Sequence, residues 1–380
     1  MAGAADIERF GKRFFLSVIG ALRPVRPLPP ASLPLKMFRR ILVVKQHDQL
    51  GDLLVTTPAI RALRKRYPEA FIAVVVREYT APLMWENPNV DDIIVFREKV
   101  KRWDLGWVRQ FLGQLRDGGG FDCAVVLNSV SRSMSSDVIA LLSRAKYIVG
   151  PNHLSLMPGE PERIYNSVTP RVKGVQSEIQ HYLDIVRAIG AAPDGMEYDY
   201  VVTDEEAAEA EKMLYDAGAR SAEALVGVHL GALNREKRLP LDTLAHVIAR
   251  IKKEFTCEVA VFHGPHDASL CDQLLTKVDR RSVRVLPLMP LRTAAAVIRK
   301  MNLLLCNDTG TMHIASAVRT PTVSFHSISE PAQWKPPHER HIGLRAADRR
   351  IGSIKPDEVM AAVREQMGRI GLSPRPESTI

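Results

Sequence analysis

Four loops in this 380-residue chain gather residue types suited to acid–base and anion-binding chemistry, and each follows a short apolar run. In Leu50-Gly51-Asp52, Gly51 permits a tight turn and close backbone approach. Asp52 then stands near a helix start. There a carboxylate either caps the helix, contributing ~1 kcal/mol, or takes a proton from a hydroxyl as general base. The stretch from Gly231 to Pro240 brings Arg235, Lys237 and Arg238 together just past a predicted strand. These are either a solvated charge run or cations that balance phosphate charge. The stretch lacks the Gly-x-x-x-x-Gly-Lys signature, so it is not a P-loop.

The third loop is Asn307-Asp308-Thr309-Gly310-Thr311-Met312-His313. A strand ends and Asp-Thr-Gly opens a helix, whose free N–H groups form an anion site with the Thr309 and Thr311 hydroxyls nearby. His313, four residues after Thr309, shares that helix face. The plainer reading is an N-capping Asp/Thr with a packed histidine. Asp-Thr-Gly also occurs in aspartic proteases, but in an all-β context that this sequence does not have. In the fourth loop, His263-Gly-Pro-His-Asp267, Asp267 is suited to accept from a ribose diol or to cap a helix.

These loops must be positioned by alternating strands and helices. Residues 41–45, 71–76, 91–96 and 123–128 read as buried strands, with helices over 53–67 and from Trp103 to Asp117 between them, the first turning Leu53, Leu54, Ile60 and Leu63 inward and Arg61, Arg64, Lys65 and Arg66 outward. After a polar stretch near 191–205 the pattern restarts with strands over 224–230, 258–264, 302–308 and 321–327. Alternation of this kind predicts an α/β chain with mostly parallel sheets in two halves, with ligands outside the carboxyl ends of the strands. The expected organisation is an N-terminal arm over 1–38, a Rossmann-like domain over 39–200 and a second over 201–380. The halves are expected to face each other across a cleft.

Apolar residues make up 46% and charged ones 25%, which excludes disordered, collagen-like and coiled-coil classes. Four cysteines are too few for a disulfide scaffold, the lack of a CxxC pair argues against a cysteine zinc site, and no His/Cys/carboxylate cluster has metal-ligand spacing. No apolar run approaches the ~20 residues of a spanning helix. Eight Lys/Arg in residues 1–40 stand against Asp6 and Glu8, so most of the net charge of +9 belongs to the arm. The body carries no basic stripe with interleaved aromatics, and nucleic acid is not an expected partner. Residues 7–22 form an amphipathic pattern, with Ile7, Phe10, Phe14, Val18 and Leu22 on one face and Arg9, Lys12 and Arg13 on the other. That pattern suits an anionic membrane interface, a helix packed on the protein itself, or a short secretory signal. The prolines between Pro24 and Pro34 predict an extended linker after it.

Together, LGDLLVTTPAIRALRKRYP, NPNVDDIIVF, the Lys-x-x-Pro loop, GPHD and NDTGTMHIASA resemble the lipopolysaccharide heptosyltransferases of glycosyltransferase family 9, over roughly residues 41–345. The resemblance implies a GT-B fold of two Rossmann-like domains, the first taking the acceptor and the second holding the nucleotide-sugar donor, and inverting, metal-independent transfer of heptose from ADP-heptose to a lipid-linked core sugar. It implies that Asp52 is the general base, that Gly51 shapes its turn and that Lys237 faces the donor phosphates. Asp267 is then the acid at the donor ribose, Asp308 touches the donor sugar, Thr309 and Gly310 cradle the diphosphate, and His313 is the histidine of the same motif. The alternatives are a family member with another nucleotide sugar or acceptor, and a non-catalytic two-lobed binding protein. A cytoplasmic enzyme, placed at the inner membrane through residues 7–22, is the expected location.

Overall fold

A computed structural model describes residues 25–47, 49–98, 104–128, 132–151, 164–170, 172, 174–219 and 224–375. The amphipathic segment 7–22 lies outside the described residues. The chain divides into two compact units, Met1–Asp199 and Tyr200–Ile380.

In the first unit, β1 (Arg40–Val44) is followed by α1 (Leu50–Leu54), α2 (Thr57–Arg66), β2 (Phe71–Arg77), β3 (Asp92–Phe96), α3 (Leu105–Arg116), β4 (Cys123–Val126), α4 (Met134–Leu142), β5 (Tyr147–Pro151), β6 (Ser167–Thr169) and α5 (Glu178–Arg187). The strands form one sheet in the order β3-β2-β1-β4-β5-β6, parallel throughout. Its centre is dry because Ile41 to Val44, Ile72 to Val76 and Cys123 to Val126 are all fully buried. Such strands carry apolar side chains on both faces because helices cover both.

The single helix expected over 53–67 is broken in two. Pro58 has no N–H to offer the carbonyl of Leu54, and the Thr57 hydroxyl donates there instead, at 2.8 Å. The expected inward residues Leu53, Leu54, Ile60 and Leu63 are buried. Arg61, expected to face solvent, instead donates to the carbonyls of Asp194 and Glu197 and to Asp199 Oδ1. The Pro-rich segment is pinned rather than loose. Leu28 N–H donates to the Asn166 carbonyl, Leu33 and Phe38 are buried, and Phe38 packs between Tyr67 and Tyr147.

The second unit continues with α6 (Asp204–Asp216), β7 (Leu225–His229), α7 (Leu241–Glu254), β8 (Glu258–Phe262), α8 (Ala268–Leu275), β9 (Arg284–Val285), α9 (Leu291–Arg299), β10 (Leu303–Asn307), α10 (Gly310–Ala317), β11 (Thr322–His326), α11 (Pro331–Trp334), β12 (His341–Arg345) and α12 (Pro356–Arg369). Its sheet is also parallel, in the order β12-β11-β10-β7-β8-β9. Read from the opposite edge, this is the strand order of the first sheet. In both, the chain builds outward from the first strand, then returns to its other side. That reversal lies between β1 and β4 in one unit and between β7 and β10 in the other, and such switch points open a crevice at the carboxyl strand ends.

Candidate active site

The strand ends of the second unit bring three of the four predicted loops together. Lys237 lies in a short 3-10 turn after β7, and its Nζ donates to Asp308 Oδ2 at 2.9 Å. The Ser329 hydroxyl donates to the same oxygen at 2.6 Å. His326 Nδ1 stands 3.9 Å from Asp308 Oδ1, and its Nε2 is engaged with Ser324 Oγ at 2.9 Å. Burial would raise the Asp308 carboxyl, but His326, Lys237 and Ser329 reverse this and hold it below the usual carboxylate range. Asp308 is therefore ionised at neutral pH. Burial lowers the pKa of His313 and His326 to about 4 each, so both rings are neutral there.

Asp308 leads directly into α10. Its N-cap, Thr309, makes no side-chain capping bond, and the first residue of the helix is Gly310. The first N–H groups of a helix have no acceptor within it, and they carry the positive end of its dipole. Thr309, Gly310 and Thr311 are partly exposed, whereas His313 is buried. The Lys237 side chain is 35% exposed. An anion at this corner therefore meets an ammonium, a helix start and a threonine hydroxyl.

Asp267 occupies the N-cap position of α8 but makes no capping bond. Its Oδ1 accepts from Arg238 Nη2 at 2.9 Å, and Arg238 Nε donates to the Ala232 carbonyl at 2.8 Å. Gly231 lets the backbone pass close to this carboxylate: a Cβ there would stand 2.1 Å from Asp267 Oδ2 and push it aside. Asn307 fixes both ends of the cationic loop. Its Nδ2 donates to the carbonyls of Leu230 and Gly231, and its Oδ1 accepts from Leu239 N–H. Sequence reasoning quoted Asn307 within the motif without giving it this task, and it passed over Ser329 and His326. Among the described residues, no group of three or more His, Cys, Asp or Glu is placed to hold a metal ion.

In the first unit, Asp52 lies in α1, with Gly51 buried beside it. Its Oδ2 accepts from Gln49 N–H at 3.0 Å, and the Gln49 side chain accepts in return from the Asp52 N–H, a reciprocal cap. The Tyr79 hydroxyl donates to Gln49 Oε1 at 2.5 Å. Asp52 thus performs the capping task that its position allows, in the loop that leaves β1. Immediately after β1, Lys45 and Gln46 are buried. Lys45 Nζ lies 2.8 Å from the Tyr182 hydroxyl, and Gln46 Nε2 donates to Ser135 Oγ at 2.8 Å. Nothing local to Lys45 signals the Tyr182 contact, because that partner comes from α5.

The chain is similar to known proteins over most of its length. Residues 162–356 match the model of glycosyltransferase family 9 (heptosyltransferase). A putative glycosyltransferase of Haemophilus influenzae is 24% identical over 322 residues, covering 81% of this chain and 89% of that protein. Lipopolysaccharide heptosyltransferase 2 of Salmonella typhimurium is 22% identical over 303 residues, covering 78% and 85%. Among solved structures, a family 9 glycosyltransferase from Veillonella parvula superposes with a TM-score of 0.76 at 21% identity, covering 87% of this chain and 97% of that one. The E. coli ADP-heptose LPS heptosyltransferase II gives 0.69 at 20% identity, covering 87% and 99%. With two Rossmann-like units of six parallel strands and the family model over more than half its length, the chain has the GT-B fold and belongs to glycosyltransferase family 9, the heptosyltransferases.

Proposed function

We propose that this glycosyltransferase moves a heptose from ADP-heptose to a lipid-linked lipopolysaccharide core acceptor, with inversion at the anomeric carbon. The observation that carries the reading is the Lys237–Asp308 pair beside the start of α10, at the carboxyl strand ends of the second sheet. It offers a sugar diphosphate a cation and helix N–H groups where negative charge grows, and a carboxylate for sugar hydroxyls. The names of relatives support the substrates: one is a lipopolysaccharide heptosyltransferase, and another an ADP-heptose enzyme.

In the proposed step the acceptor hydroxyl oxygen attacks the anomeric carbon opposite the diphosphate. The carbon–oxygen bond to the diphosphate breaks, and ADP leaves with that electron pair. Asp52 takes the hydroxyl proton. An ordinary aspartate, with a pKa of ~3.9, is already ionised at pH 7 and needs no tuning for this task. Lys237 and the Thr309–Gly310 backbone stabilise the departing diphosphate, Asp267 holds the ribose, His313 supports the start of α10, and no metal is required. The enzyme works at the cytoplasmic face of the inner membrane, with residues 7–22 as peripheral contact to anionic lipid.

A donor screen tests the reading. ADP-heptose, other ADP-sugars, UDP-sugars and GDP-sugars are added in turn, and the melting temperature is recorded. ADP-heptose is expected to stabilise the protein and to be turned over in the presence of a chelator. Stabilisation by UDP- or GDP-sugars alone would replace ADP-heptose with another donor.

A further inference from the structure

The two sheets can be aligned by register as well as by strand order. In the first unit Val126 of β4 pairs with Val44 of β1, and in the second Cys306 of β10 pairs with His229 of β7. Each of these pairs ends the ladder between the two strands that flank the switch point. Two residues beyond Val126 stands Asn128; two beyond Cys306 stands Asp308. Asn128 therefore holds, in the first unit, the register position that Asp308 holds in the second.

Both side chains are buried, at 1% exposure for Asn128 and 9% for Asp308. Their satisfaction differs. Asp308 is met by Lys237 and Ser329. Among the described residues, neither Nδ2 nor Oδ1 of Asn128 has a hydrogen-bond partner. Nearby polar groups at the end of β1 do have partners: Lys45 Nζ meets Tyr182, and Gln46 Nε2 meets Ser135 and Ser136. A buried amide with both ends unmet is uncommon and unfavourable, and such a group calls for a specific explanation.

We infer that Asn128 is a specificity residue that hydrogen-bonds hydroxyls of the saccharide acceptor at the switch point of the first sheet. The inference rests on the reading that the first unit takes the acceptor. The amide presents a donor and an acceptor in one plane. Saccharide hydroxyls both give and accept, so neighbouring hydroxyls satisfy both ends at once. A phosphate or a carboxylate only accepts and would leave Oδ1 unmet. The corresponding carboxylate in the second unit keeps its charge because Lys237 stands beside it; the neutral amide needs no such partner.

The test compares wild type with Asn128→Ala and Asn128→Asp in the full chain. The probe is a mixture of lipid-free oligosaccharides released by mild acid from truncated lipopolysaccharide, with binding followed by saturation-transfer NMR. ADP-heptose binding is followed separately by the melting shift. N128A is expected to weaken oligosaccharide binding about tenfold, the loss of roughly one well-placed hydrogen-bonding group. N128D, which replaces the donor with a second acceptor, is expected to weaken it also. The ADP-heptose shift should be that of wild type in both variants, and N128A should melt no lower than wild type, since the replaced amide has no partner among the described residues to lose. The inference is overturned if wild type binds none of the oligosaccharides, or if N128A binds them equally well, including the case in which N128A merely melts lower. If ADP-heptose fails to shift wild type while N128A still loses the oligosaccharides, the donor reading falls and the role of Asn128 stands.

Discussion

Lys237 Nζ and Asp308 Oδ2, from positions 71 residues apart, meet at 2.9 Å on neighbouring strand ends of the second sheet. In the proposed step this cation faces the departing diphosphate, and the pair orients a carboxylate that burial alone would push toward its neutral form. Lys237→Met is expected to lower turnover by about 10²–10³, the range for losing one preorganised donor to a developing oxyanion. It should also reduce the ADP-heptose melting shift. Unchanged steady-state kinetics in this variant would remove Lys237 from the mechanism.

Asp52 is expected to separate a structural task from a chemical one. Asp52→Asn keeps an oxygen that can accept from Gln49 N–H, so its melting temperature should stay close to wild type. Asp52→Ala loses the cap, at a cost of about 1 kcal/mol. Both should lose about 10²–10⁴ in turnover while retaining the donor-induced melting shift, since only the base is missing. Near-wild-type turnover in D52N would leave the residue as a cap alone.

The close approach of Gly231 to Asp267 leaves no room for a methyl group. Gly231→Ala should displace the Asp267 carboxylate from Arg238 and destabilise the protein by about 1–3 kcal/mol, as overpacking does. Affinity for ADP should fall with it. Calorimetric titration with ADP measures the affinity, and urea unfolding the stability.

Buried histidines set an acid limit to stability. Burial lowers His313 and His326 to about 4 and His341 to about 2, against 6.5 for an exposed imidazole. Between those values the unfolded chain binds protons that the folded one does not, so stability is complete above about pH 6.5 and falls as pH drops toward 4. Each such group contributes up to about 1.4 kcal/mol per pH unit to the slope within that window. Urea midpoints from pH 7.5 to 4.5 should decline accordingly. His341→Gln should flatten the decline by about one group's share.

Residues 1–24 are expected to carry membrane attachment. Their removal spares the Leu28–Asn166 bond and the buried Leu33 and Phe38, so the first unit should keep its melting temperature. Co-sedimentation with vesicles containing anionic lipid should fall, and the fall should vanish in high salt, where basic residues are screened. Equal sedimentation of both forms would leave the arm without a lipid role.

Much of this architecture is legible in the sequence because a strand buried on both faces is written as an uninterrupted apolar run. ILVVK and NLLLCND are such runs, and the loops after them could be assigned before any coordinates. Shorter elements were not legible. β6 is only Ser167 to Thr169 and carries no apolar run. α6 opens on Asp204, Glu205 and Glu206 behind its N-cap Thr203, which reads as a polar connection until the reciprocal Thr203–Glu206 cap and the Arg292 contact are seen. The candidate site residues can be read from the sequence only as isolated groups. Their ties to one another, Lys237 to Asp308 and Arg238 to Asp267, join distant segments, and local pattern holds no record of such contacts.

The three bonds of Asn307 grip residues 230, 231 and 239, the two feet of the cationic loop. The span between those feet is thereby relieved of any duty to the sheet. Lys237 and Arg238 can therefore answer to Asp308 and Asp267 rather than to the strands beneath them, and the anchored feet set how far either cation can stray from its carboxylate.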